Sequence, residues 1–332
     1  MGACVALAIA TGCSDGKRVP AVGPGFEIIV LASPEARQFG ERVAEILSEE
    51  IWIVQTEPRF RVVADAIDQT SFYDTRKLLF FVGADSDPDL EKTLRRATGT
   101  RTPSSVPGLW IEVEPFAAGQ VAFILTGTVD SMSRVVTQQA DDIVRVVEDA
   151  AVTLLLTNVF RAGEREGARR AMLARWGWGV RVPPQWVVDD RFADDAFVRV
   201  WQDGPVQQVA VAWEAGRVDR TPQQWLEHRG ALVARFYDGD EVVMDHSTAR
   251  AARTPYGIDG VVLSGLWENN RYVIGGPFES YAFYCAEDDR TYLVDLSVYA
   301  PDRPKKPLMR TLEAVARTFR CGCVPASSES AT

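Results

Sequence analysis

The chain has 332 residues, 46% of them hydrophobic and 25% charged, a composition of ordinary globular proteins that excludes the disordered class. Its length suggests two domains or one large one. A formal net charge of -10 argues against nucleic acid, which is bound by clustered Lys and Arg that release its counterions, and against a basic patch on anionic lipid.

Residues 1–13 read as a lipoprotein signal peptide. The apolar stretch from Ala3 to Thr11 has the length of an h-region, although no basic n-region precedes it. Ala10-Thr11-Gly12-Cys13 resembles a bacterial lipobox: small residues fit the peptidase cleft, and the thiol takes the diacylglyceryl group. The mature chain is then expected to begin at a lipidated Cys13, with the membrane as its partner through that anchor. Ser14, rather than aspartate, follows the cysteine and points to an outer-membrane lipoprotein of the cell envelope. Residues 14–25 are polar and contain Gly and Pro, as a tether does. Further on, the longest apolar run, Ala150 to Leu156, falls far short of the roughly 20 residues of a membrane span.

Residues 26–161 are expected to form an N-terminal α+β domain. Phe26 to Leu31 reads as a buried strand, and Ser33 is expected to cap the helix that Pro34 opens, with Phe39, Val43, Ile46 and Leu47 on one face. Strands follow at Phe60–Ile67, Leu78–Val82, Leu109–Val113 and Val121–Leu125. Asp87 is expected to cap a helix beginning at Pro88. Asp130 opens one long amphipathic helix reaching Leu154.

Residues 162–323 are expected to form a C-terminal α+β domain, followed by a disordered tail at 324–332. A short helix to Arg175 precedes strands at Trp178–Val182, Phe197–Trp201 and Val206–Trp213, then a helix over Pro222–Phe236. Strands at Asp240–Met244, Ile258–Trp267, Phe278–Cys285 and Thr291–Tyr299 lead to a closing helix at Pro307–Phe319. Hairpin signals at Asp238-Gly239, Glu268-Asn269-Asn270 and Glu287-Asp288-Asp289 predict mostly antiparallel sheets with packed helices.

Four ordered motifs carry a resemblance: Gly265-Leu266-Trp267-Glu268, Gly275-Gly276-Pro277-Phe278, Val298-Tyr299-Ala300-Pro301, and Lys305-Lys306 with Arg310, Leu312, Glu313 and Ala314. Together they resemble the signature of the uncharacterised Bacteroidota lipoproteins known as domain of unknown function 4837. The resemblance implies an envelope location and an α+β fold, and no known activity. The second half, with Val182-Pro183-Pro184-Gln185-Trp186 and its long last helix, is also similar to the PsbP/Mog1-like α-β-α sandwich; fold analogy transfers no function.

Read physically, Gly275-Gly276-Pro277 offers two positions free to take positive φ, suiting a bulge or tight turn into the strand at Phe278. Arg310 and Glu313 share a helix face, where a solvated pair is the default. Of the nine tryptophans, six fall between Trp176 and Trp225. Most read as core, with Trp176 and Trp186, at loop edges, expected to be exposed. Cys285 can bridge to either member of Cys321-Gly322-Cys323, leaving an odd thiol, and Cys285 with Cys321 is the candidate disulfide.

Catalytic templates fail. There is no Gly-x-Ser-x-Gly elbow, and Asp245-His246-Ser247 reads as a turn because adjacent strand residues point to opposite faces. The Asp85 to Asp89 run lacks the glycine and glutamate of a calcium loop, and Gly177-Trp178-Gly179 lacks the third glycine of a dinucleotide fingerprint. No catalytic residue, metal ligand or cofactor is therefore assigned. The candidate binding surface comprises Trp267, Gly275, Gly276, Arg310, Glu313 and Trp186. The expected function is a noncatalytic envelope module binding a protein partner or small ligand; the alternative is an envelope hydrolase using paired carboxylates on a glycan or peptide.

Overall fold

From Ile28 to Ala32, the run Glu27–Ala32 is apolar and buried on both faces, as the centre of a parallel sheet requires. In the computed structural model, which describes residues 18–322, it is strand β1 of a six-stranded sheet. Cys13, the start of the tether, Cys323 and the 324–332 tail lie outside the described residues. Two compact units are present, one built from residues up to Ile51 with Thr56–Thr157, the other from Trp52–Gln55 with residues from Asn158 onward.

The first unit contains β1, α1 (Arg37–Ser48), β2 (Glu50–Trp52), β3 (Thr56–Pro58), β4 (Arg61–Ala66), α2 (Thr70–Tyr73), β5 (Leu78–Ala84), α3 (Pro88–Arg96), β6 (Thr100–Pro103), β7 (Leu109–Val113), β8 (Val121–Gly127), α4 (Val129–Gln138) and α5 (Ala140–Val159). The sheet order is β4-β1-β5-β8-β7-β6. The first four strands are parallel, and β7 and β6 add on antiparallel. Ile28, Val30, Phe80 and Phe123 pack toward Phe39, Val43 and Val147, while Ile29, Leu31, Phe81 and Ile124 pack toward Ile67 and Leu90 on the other face.

Asp87 caps α3, accepting from the amides of Asp89 and Leu90. Ser33 makes no cap: its hydroxyl is buried without a partner, and Pro34–Ala36 forms a 3-10 turn before α1 begins. The helix expected from Asp130 to Leu154 is two helices. The backbone leaves helical geometry at Gln139, and the cap is Thr128, which accepts from the amide of Ser131.

The second unit contains α6 (Ala168–Trp176), β9 (Trp178–Gly179), β10 (Val187–Asp189), β11 (Phe197–Gln202), β12 (Val206–Ala215), α7 (Pro222–Phe236), β13 (Glu241–Arg253), β14 (Asp259–Asn269), β15 (Ile274–Cys285), β16 (Arg290–Tyr299), α8 (Lys306–Ala316) and β17 (Arg320–Cys321). Its seven-stranded sheet, β10-β11-β12-β16-β15-β14-β13, is wholly antiparallel. Alternation along the strands sorts the two faces. Leu293, Ala282 and Ala210 meet Trp225, Val233 and Phe236 of α7, whereas Tyr292 and Phe283 meet Phe319 just after α8. One helix on each face gives three layers, α-β-α.

Asp245-His246-Ser247 lies inside β13, not in a turn. The register of β13 against β14 shifts between Val243 and Thr248, and the Ser247 hydroxyl donates to the Val243 carbonyl at 2.8 Å. Opposite this irregularity stands Gly265, whose Cβ would fall 2.1 Å from Ser247 Oγ, so the strands close only around a glycine. Cys285 and Cys321 are joined by a disulfide that ties the end of β15 to β17.

Candidate functional site

The Pro222 helix starts cleanly because Thr221 and Gln224 form a reciprocal capping box, and α7 runs from there to its C-cap at Tyr237. Past Phe236, the chain turns through Asp238 and Gly239, both at positive φ, and enters β13. The β14-β15 hairpin turns at the same end of the sheet. Its Asn269 carboxamide oxygen accepts from the amides of Arg271 and Tyr272. The Nδ2 group donates to the Asp238 carbonyl and, at 2.8 Å, to Asp240 Oδ1. Asn269, almost fully buried, thus ties the two turns together.

These turns, the C-terminal end of α7 and the sheet border an open cavity of about 510 Å³. Known small-molecule sites run from about 300 to 1,000 Å³. On its floor Gln208 Nε2 donates to Ser297 Oγ at 2.7 Å across the β12-β16 pair. One wall carries Arg199, whose Nε donates to Asp189 at 2.9 Å, while Arg191 grips the same carboxylate with two bonds of 2.8 Å. The bonds from Arg191 hold the Asp189 carboxyl well below the usual range despite its partial burial, with Arg199 adding to the effect.

Also in the lining, Asp240 has its carboxyl pushed upward by burial, against the opposing pull of the Asn269 donor and of the Arg229 and Arg199 charges. Asp238 accepts from the Tyr272 hydroxyl at 2.6 Å and pairs with Arg271, and Arg235 pairs with Asp195. Trp267, Tyr299, Phe192 and Tyr272 contribute rings to the lining. The Tyr237 hydroxyl and Trp267 Nε1 are buried with no hydrogen-bond partner. Neither histidine lines the cavity, so no imidazole stands ready to activate a nucleophile there.

The residues singled out from sequence scatter. Trp267 lines the cavity, and Gly275 and Gly276 pair with Glu268 and Trp267 beside it. Neither glycine has positive φ, so they form no turn. They sit within β15, where a Cβ on Gly276 would lie 1.9 Å from the Val298 carbonyl and 3.2 Å from Trp267 Nε1. Close strand approach and room for the indole are what this pair supplies.

Arg310 is 1% exposed and Glu313 pairs with Arg317 at 2.6 Å, so a solvated Arg310–Glu313 pair is not what α8 presents. Trp186 is 4% exposed, buried instead of at an open loop edge, and Trp176 is half-buried, stacked on Trp178 with ring centroids 5.6 Å apart. Cys285, Cys321 and Asp288 are the one grouping of metal-ligand types among the described residues, but its two sulfurs are bonded to each other.

Sequence reasoning missed Asp240, Arg199, Asn269 and Tyr272. Asp238-Gly239 and Glu268-Asn269-Asn270 read only as hairpin signals. Two turn signals flanking one helix end were the available clue.

Fold and cavity define the class: a two-unit α+β protein whose second unit is a three-layer sandwich with a cavity lined by aromatic, aliphatic and charged side chains. Residues 205–318 match the family model described as Domain of unknown function (DUF4837). Two solved structures are similar in part. The Saccharomyces cerevisiae Ran-binding protein Mog1p is 13% identical over 44% of this chain and 90% of its own, with a TM-score of 0.29. A Bacteroides thetaiotaomicron protein is 7% identical over 44% of this chain and 45% of its own, with a TM-score of 0.28. No curated protein sequence matches the chain.

Proposed function

We propose that the protein is a lipid-anchored envelope protein whose second unit binds a small ligand, without catalysis, in the cavity at the end of α7. The observation that carries this reading is preorganisation. Arg199 is held by Asp189, Asp240 by Asn269 and Gln208 by Ser297, so the protein's own hydrogen bonds fix the positions of these groups. The Cys285–Cys321 disulfide supports an address outside the reducing cytosol. The lipobox at Cys13 supports attachment by lipid.

Binding is tested by thermal melting of the full chain against a chemically mixed set of small molecules. A true ligand at a hundred times its Kd stabilises by about 2.7 kcal/mol, and that gain should shrink in Arg199→Gln. No stabilisation by any compound would sink the reading. For the anchor, radiolabelled palmitate should enter the wild type and not Cys13→Ala; equal labelling of both would remove it.

One observation favours a second reading, a hydrolase using paired carboxylates on a glycan or peptide. Asp238 and Asp240 line the same cavity, with Asp240 biased toward its protonated form and Asp238 exposed and ion-paired. In that case Asp240 is the acid and Asp238 the base, and release of product from chromogenic glycosides or peptides by the wild type should vanish in Asp240→Asn. No turnover by the wild type leaves binding alone.

A further inference from the structure

Resting on the reading of the cavity as a binding site, we infer that its ligand is a neutral polyhydroxylated ring, a saccharide, rather than an anion or an apolar chain. Charge is the first argument. Arg191 and Arg199 share Asp189, Arg235 pairs with Asp195, and Asp238 pairs with Arg271. Asp240 lies close enough to Arg199 and to Arg229 to feel both charges, and Arg229 is itself paired with Asp295. An anion would have to share a guanidinium with Asp189 or Asp195 while sitting near Asp238 and Asp240. A cation would face the same arginines. The charges are balanced within the wall, so no ionic demand is left for the ligand.

Hydrogen bonding is the second argument. The lining carries both kinds of group: carboxylate and hydroxyl oxygens on Asp240 and Ser297 that can accept, and the Arg199 guanidinium, which can only donate. A hydroxyl is both donor and acceptor and so can bridge such neighbours. An apolar chain would strip water from these groups without replacing it, leaving each of them unsatisfied.

Shape is the third argument. Tyr272 is about half exposed and Tyr299 half-buried above Trp267, their ring centroids 6.5 Å apart in the case of Trp267 and Tyr299. Aromatic faces carry partial negative charge and attract the C–H faces of a sugar ring. Rings on the walls with balanced polar groups between them suit a molecule that is flat and apolar on its faces and hydroxylated round its edge.

The test is calorimetric titration of the full chain with glucose, galactose, mannose, N-acetylglucosamine and their disaccharides, alongside glucuronate, inorganic phosphate and octanoate. The expected result is binding of at least one neutral sugar, changed less than twofold between low and high salt. It should weaken at least tenfold in Asp240→Asn and in Tyr272→Ala, an exposed position, with circular dichroism checking that both variants keep the wild-type fold. Binding of glucuronate, phosphate or octanoate alone, lost in Arg199→Gln, would overturn the saccharide inference and leave the binding reading standing. If no compound of any class binds, both fall.

Discussion

Arg229 of α7 and Asp295 of β16 form a buried ion pair, Nε to Oδ1 at 2.7 Å, with the guanidinium 3.5 Å from the centroid of the Phe278 ring. Ser280 donates its hydroxyl to the same carboxylate. The pair fixes the helix against the sheet directly behind the cavity. Asp295→Asn leaves a buried guanidinium without its counter-charge and should cost about 3–5 kcal/mol in chemical denaturation. The double change Arg229→Met with Asp295→Leu should recover most of that loss; equal instability of the two would show that the pair itself matters less than its packing.

Two glycines should respond to alanine with opposite signs. Gly276→Ala sets a methyl 1.9 Å from the Val298 carbonyl, forcing β15 and β16 apart, and should destabilise by about 1–3 kcal/mol with a change in Trp267 fluorescence. Gly230→Ala, inside α7 with only a Val242 methyl at 3.8 Å, should stabilise by about 0.5–1 kcal/mol. Matched urea titrations of the two variants check both signs.

The Cys285–Cys321 bond closes a loop of sequence separation 36, for which the chain-entropy relation gives an upper value of about 4 kcal/mol. Cys321→Ser should lower stability by about 2–4 kcal/mol under oxidising conditions. Under reductant the wild type should fall to the variant's level. A variant as stable as the oxidised wild type would contradict the role given to this bond.

Asp240 makes stability depend on pH. Its folded pKa is raised, so the folded chain holds that proton more tightly than the unfolded chain does. This contribution is fully present below the unfolded carboxyl range near about 3.9 and is lost as pH rises through the folded value. Asp240→Asn keeps an oxygen to accept from Asn269 and carries no charge. Its melting temperature should match the wild type near pH 4 and exceed it increasingly toward neutrality; a constant offset across that range would remove the claim.

Much of the framework was legible in the chain. Pro222–Phe236 reads as a helix because Thr221, Pro222 and Gln224 form a local start signal, and Leu109–Val113 reads as a strand because it alternates between turns. Such features depend on neighbours a few residues apart, where backbone sterics and capping act. By itself the sequence determined the α+β class, the antiparallel character of the second sheet, the Asp87 cap and the family-like motifs around Trp267.

Tertiary structure alone decided the rest. Gly275 and Gly276 look like turn glycines until β14 and β16 are laid beside them and the carbonyls of Trp267 and Val298, respectively, occupy the space of a side chain. Asp240, Asn269, Arg199 and Tyr299 come from four separate segments, and only strand register and the end of α7 bring them round one cavity. Arg310 and Trp186 look available on a line of sequence and are buried once the second unit closes. Local pattern is short-ranged, whereas burial and the meeting of distant side chains follow from how whole layers pack.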